Sequence, residues 1–307
     1  MPFGLPQGHR GAGWGRSRSR RRGRGFGGGF SKGRLLLAVG IALFALISYY
    51  GSGETNPLTG DVDRVGKITR EQEVVLGYDA MPKMVQQMGG AAPANSPKQR
   101  QLERIGNILL DGSGLDEKMR EHQIPWKFTF TLLDDDQTVN AFALPGGPVF
   151  MTEALYDRLD NEAQVAGVLG HEIGHVVERH GSERMARSQL GQQLLGAAVM
   201  GTGSYEAGQL GSFVTNFINM SYGRDQELES DTLGLRYMAD SGYDPTEMIG
   251  VMQTLAEASG GKGGGTPEWA STHPNPLSRI DEIKAWIAGE YPDGIPRDLT
   301  DGGPLAR

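Results

Sequence analysis

His171-Glu172-Ile173-Gly174-His175, inside residues 161–185, is the stretch from which the rest of the chain is read. Val165, Val168, Leu169 and Val176 recur around it at helical spacing, so the pentapeptide is expected on a helix. Residues four apart on an α-helix differ by about 40° around the axis, so both imidazoles leave one face, a turn apart, and form a two-point clamp for a metal ion. Glu172 stands about 100° round from His171, too far to share the clamp but close enough to act as general base on a water beside it. One and a half turns of helix thus offer ligands and a base together.

Two helical histidines can also be ordinary core residues, so a third ligand decides the matter. Catalytic zinc takes three protein ligands and leaves a fourth position open. The 307 residues contain no cysteine, so disulfides and thiolate sites are excluded and any zinc must sit on His, Asp or Glu. His180 lies nine residues beyond His171, nearly opposite on a continuous helix, and cannot close the clamp unless the helix breaks. Glu178 and Gly181 stand where the metzincin pattern requires Gly and His, which excludes that pattern. Glu227-Leu228-Glu229-Ser230-Asp231 opens a second helical stretch at about residues 225–240. Glu227 and Asp231 share a face there, so one carboxylate can bind metal while the other orients a ligating His through its second ring nitrogen. The alternative is a solvated acidic helix start, which would suit the helix dipole.

H-E-x-x-H on a helix is a zinc-peptidase signature, and followed by Glu227-x-x-x-Asp231 it resembles the gluzincin pattern. More narrowly, it is similar to family forty-eight of the metallopeptidases, which contains the CAAX prenyl endopeptidases, HtpX and BepA. Asn140-Ala-Phe-Ala-Leu-Pro-Gly-Gly-Pro-Val-Phe-Met-Thr152 resembles that family's segment ahead of the zinc helix, and Thr272-His273-Pro274-Asn275-Pro276 with Arg279 resembles its late His-Pro element. The resemblance covers roughly residues 69–287. It implies an α+β fold, a mainly helical zincin-like domain with a small antiparallel sheet, and the charge and apolar pattern of the first 50 residues puts one transmembrane helix ahead of it. The resemblance also implies one zinc on His171, His175 and Glu227, Glu172 as catalytic base, and Asp231 behind a ligating His. His273 would either stabilise the oxyanion or fill the open zinc position until substrate arrives, and Arg279 would steady the cleft or bind a substrate carbonyl. Asn140 and Ala141 are carried over as substrate contacts, against the alternative of an ordinary sheet edge.

Charge is distributed unevenly: the formal total of −7 divides into +9 for residues 1–50, which hold no acid, and −16 for the remainder. Residues 35–50 form an uncharged apolar run of 16, about 24 Å as a helix against a hydrocarbon core of ~30 Å, with Gly33 and Tyr49-Tyr50 able to extend it into the interface. The basic block should stay cytoplasmic, which places everything after Gly51 on the far side. A cleaved signal peptide is the rival, but the long leader and the missing A-x-A site favour an uncleaved anchor. Residues 1–34 are Gly/Arg/Ser-rich and cannot build a core; the adjacent membrane accounts for their charge without nucleic acid, RNA retention being the alternative.

Residues 51–68 read as a linker and 69–290 as the folded domain. Thr69 and Gln72 make a capping box for a helix to about Gln87, and a helix at about residues 97–110 puts Leu102, Ile105 and Leu109 on one side. Strands are expected at residues 126–133, 138–144 and 148–151, the last two joined by Pro145-Gly146-Gly147. Residues 188–222 are helical in part, a helix ends near Ala258, Gly260 to Gly265 is a flexible break, and a last helix runs over about 276–290. Residues 291–307 read as a short tail; BepA-like relatives continue into helical repeats, so their partners are not carried over. The expected activity is a zinc endopeptidase of the bacterial inner membrane, single-pass, its catalytic domain periplasmic, acting on unfolded or misassembled proteins. The rival is a chaperone-like client-binding module whose zinc is structural or absent.

Overall fold

The computed structural model describes residues 32–202, 221–260, 268–273 and 276–307. The basic tail before Lys32, residues 203–220, most of the expected glycine break and Pro274-Asn275 lie outside the described residues.

Helix α1 (Lys32–Tyr50) has 19 residues, about 28 Å, because the helix begins three residues ahead of the apolar run. Among the described residues it is the one helix long and apolar enough to cross a membrane. Leu36, Phe44 and Ile47 are exposed, while Ala38 and Ala45 are buried on the side where α7 (His180–Thr202) lies along it.

The expected linker is folded. Strands β1 (Glu54–Thr55) and β2 (Val62–Asp63) pair antiparallel, and buried Asn56 donates to the carbonyl of Val177 at 2.7 Å. A buried side chain meeting an orphan helix-end carbonyl ties this hairpin to the domain, a link that a Gly/Thr/Asp-rich composition hides.

Helix α2 (Arg70–Gln87) carries the complete Thr69/Gln72 capping box. Ser96 caps α3 (Pro97–Gly112), whose Leu102, Ile105 and Leu109 are buried, and the short α4 (Leu115–Glu121) follows. Strands β3 (Thr129–Leu133), β4 (Ala141–Ala143) and β5 (Pro148–Thr152) form a sheet in the order β3-β5-β4. The sheet is mixed, not antiparallel throughout: β4 and β5 form the expected hairpin, but β3 pairs parallel with β5. The hairpin occupies one edge of β5, and the chain crosses over in residues 134–140, which leaves β3 the other edge in β5's direction. Gly146 (φ 82°) and Gly147 (φ 123°) make the hairpin turn; a Cβ on Gly147 would stand 2.2 Å from the Lys127 carbonyl oxygen. The outer edge of β3 is closed by Gln99, whose amide nitrogen donates to Phe130 O at 2.8 Å while its oxygen accepts from Leu132 N at 2.7 Å, as a neighbouring strand would.

After the short α5 (Glu153–Tyr156), α6 (Glu162–Val177) carries the metal-clamp motif with all 16 residues buried. A buried helix start must find acceptors for its free N–H groups. Asn161 Oδ1 takes Gln164 N at 2.9 Å, and the supposed tail supplies the others, Gly303 O accepting from Glu162 N (3.2 Å) and Asp301 O from Ala163 N (3.0 Å). Residues 300–306 therefore belong to the fold, with Leu305 buried. Helices α8 (Arg224–Asp240), α9 (Glu247–Gly260), α10 (Glu268–Thr272) and α11 (Pro276–Glu290) complete the domain.

Candidate metal centre

Two helices must approach closely for a carboxylate on one to meet imidazoles on the other. Along α6, Gly170 and Gly174 face Gly234 and Ser230 of α8: a Cβ on Gly174 would lie 3.0 Å from Ser230 Cα, and one on Gly170 would lie 3.1 Å from Gly234 Cα. Small residues four apart on both helices let the backbones touch, which puts Glu227 and Asp231 against the His171/His175 face.

His171 Nε2 and His175 Nε2 are 3.0 Å apart. Glu227 reaches them with Oε2 at 3.7 Å from His171 Nε2 and Oε1 at 3.6 Å from His175 Nε2. His273 adds Nδ1, 3.3 Å from His171 Nε2 and 2.9 Å from Glu227 Oε1. These four residues, all buried, offer ligand atoms within 4.8 Å of one another. Glu227 is 1% exposed, which sets aside a solvated acidic helix start.

Behind the ligands stands a charged frame. His171 Nδ1 meets Asp231 Oδ1 at 2.9 Å. Arg279, 2% exposed, donates from Nε to Asp231 Oδ2 at 2.6 Å, from Nη2 to Asp231 Oδ1 and from Nη1 to Glu227 Oε2. Burial works against ionising Asp231, but Arg279 and His171 overcome it and bring its pKa down to about 2. For Glu227 burial is likewise opposed, by His273 and Arg279, and the net shift is downward. Burial pushes His175 well below its ordinary value, with His171 and His180 adding to the effect, so its ring stays neutral and can ligate.

Glu172 is differently placed. It is fully buried, its two carboxylate oxygens have no hydrogen-bond partner among the described residues, and His273 Nε2 lies 3.7 Å from its Oε1. Burial raises its pKa, the direction that brings a carboxylate towards general-base work near neutral pH. The donor set of imidazoles and carboxylate without sulfur suits zinc.

A family model described as Peptidase family M48 matches residues 96–287. The chain belongs to peptidase family M48. The mitochondrial metalloendopeptidase OMA1 of Schizosaccharomyces pombe is 29% identical over 227 residues, covering 73% of this chain and 64% of that protein. The beta-barrel assembly-enhancing protease of Yersinia pestis is 32% identical over 227 residues, covering 70% of this chain and 43% of that protein. The metalloprotease YcaL of Escherichia coli is 31% identical over 153 residues, covering 49% of this chain and 59% of that protein. The chain thus spans between 43% and 64% of the length of these relatives.

Within this M48 chain, His171, Glu172, His175, Glu227, Asp231, His273 and Arg279 converge on one centre. Asn140 and Ala141 are buried at the start of β4, and Asn140 Oδ1 has no hydrogen-bond partner among the described residues. Sequence reading missed two aromatic neighbours. Tyr222 stacks on His175 with centroids 3.7 Å apart. Trp269 stacks on His273 at 4.6 Å, and its backbone N–H reaches Val139 O beside β4 at 3.4 Å. His180 does follow a helix break, yet it meets the outer nitrogen of His175 and not the ligand cluster. Beyond the family resemblance, the small residues at 170, 174, 230 and 234 are a sequence signal for the helix contact.

Proposed function

We propose that the protein is a membrane-anchored zinc endopeptidase that hydrolyses peptide bonds of unfolded or misassembled envelope proteins. The observation that carries this reading is the convergence of His171, His175 and Glu227 beside a buried carboxylate, Glu172, that has no hydrogen-bond partner among the described residues. Zinc bound there supplies a Lewis acid that lowers the pKa of water to about 7 and polarises a scissile carbonyl. Glu172 takes the proton of the attacking water and returns it to the leaving amine. Asp231 accepts from His171 Nδ1 and fixes that ring, while Arg279 neutralises both Asp231 and Glu227. Asn140 and Ala141 hold the substrate backbone along β4. His273 would fill the position that zinc leaves open and keep the site latent until substrate arrives, a role supported by its contact with Glu227 and its nearness to Glu172.

Relatives named as a beta-barrel assembly-enhancing protease support an envelope substrate. Helix α1 and the positive charge ahead of it support a single-pass bacterial inner-membrane protein with cytoplasmic N-terminus and periplasmic catalytic domain.

The test is Glu172→Gln against casein. The variant should keep one zinc per chain and lose cleavage by roughly 10²-fold or more. A wild type that holds unfolded protein without cutting it would instead establish the client-binding reading.

A further inference from the structure

Helix α6 stops at Val177, with Glu178 as its cap, and the next residue, Arg179, has φ 55°. A non-glycine residue in the left-handed region costs of order 1 kcal/mol or more and persists only where its surroundings over-determine it. Here they do. The guanidinium of Arg179 is buried, donating to Glu73 Oε1 at 2.8 Å and to Ile68 O at 2.7 Å, with Asp63 at 3.6 Å.

The consequence of this turn is the position of His180. On an unbroken helix its side chain would leave the face opposite His171. After the turn, His180 Nδ1 is 2.8 Å from His175 Nδ1, and its Nε2 is 3.0 Å from Glu229 Oε2. Ser230 Oγ makes a longer contact of 3.3 Å to the same Nδ1.

The protons along this chain have one consistent arrangement. His175 directs Nε2 at the other ligands, so its proton sits on Nδ1 and is donated to His180 Nδ1. His180 then carries its own proton on Nε2 and donates it to the Glu229 carboxylate. Resting on the zinc reading above, we propose that His180 and Glu229 are positioning residues for the metal ligand His175: they fix its tautomer and ring angle and raise its basicity, as Asp231 does directly for His171. A partner on the outer nitrogen of a ligating histidine is the general rule at zinc sites; here the carboxylate acts through an intervening imidazole.

The experiment is chelator competition for zinc on the full-length protein, with urea unfolding of the metal-free form alongside. His180→Ala should weaken zinc by about 10–100-fold. His180→Asn, which keeps an acceptor near the position of Nδ1, should recover part of that loss. Glu229→Gln, at a side chain 46% exposed, should weaken zinc about 3–10-fold with an unchanged urea midpoint, and it keeps the test decisive if His180→Ala does not fold. Wild type holding one zinc, with Glu229→Gln and any folded His180→Ala of equal affinity, would overturn the relay alone. Wild type taking up no zinc would overturn the metal reading and the relay with it.

Discussion

Helices α6 and α1 are both rich in apolar residues, and they meet opposite fates. Every residue of α6 is buried, whereas α1 buries only Ala38 and Ala45 and leaves Leu36, Phe44 and Ile47 exposed. The difference lies in the small and polar positions. In α6, Gly170 and Gly174 admit a second backbone, and His171 and His175 find carboxylate partners across the contact. In α1, Arg34 is followed by sixteen residues without a charge, a length and composition sufficient to cross a membrane. Apolar content alone thus says that a helix is hidden; what is interspersed says by what.

The most damaging way to break the α6 side is Arg279→Ala. It leaves Glu227 and Asp231 buried without their countercharge, and should cost about 3–5 kcal/mol in urea unfolding of the metal-free protein. Gly174→Val drives a side chain into Ser230 Cα, 3.0 Å from the first added carbon; roughly 1–3 kcal/mol of stability should go, and zinc affinity with it as α8 is pushed away.

A third test uses pH at the foot of α6. Burial, helped by Asp61, raises Glu178 from the ordinary 4.5 to about 8. The folded state then holds a proton that the unfolded chain has released, so this contribution is complete below about pH 4.5 and is lost as pH rises through about 8, with a slope of at most ~1.4 kcal/mol per pH unit. Glu178→Gln should flatten the fall in melting temperature over that interval. The smallest effect is expected on α1. Phe44→Ser should alter unfolding of the domain in detergent by no more than about 0.5 kcal/mol; a larger loss would mean that α1 is packed like α6.

Much of the centre was legible because its chemistry is local. Residues four apart on a helix share a face whatever the tertiary fold, so His171/His175 and Glu227/Asp231 declared themselves as pairs. Their meeting was read through the family resemblance; the small residues at 170, 174, 230 and 234 permit a close contact but do not name the partner helix. The capping box at Thr69 and the hairpin at Pro145 to Gly147 follow from short-range geometry and were equally plain. Three features escaped because they depend on distant contacts. The parallel pairing of β3 is set by which edge of β5 the hairpin leaves free. Residues 51–68 and 291–307 lack helical or strand periodicity, yet Asn56 and the carbonyls of Asp301 and Gly303 satisfy the two ends of α6. The break at Arg179 needs Glu73, more than 100 residues earlier in the chain, to hold it.

Zinc stoichiometry of the purified chain after chelation and re-addition, with Glu227→Ala in parallel, tests the two-helix centre most directly. The account predicts one zinc per wild-type chain and a loss of at least about 10²-fold in affinity when the carboxylate is removed. Wild type that takes up no zinc, or Glu227→Ala that binds as tightly as wild type, would contradict it.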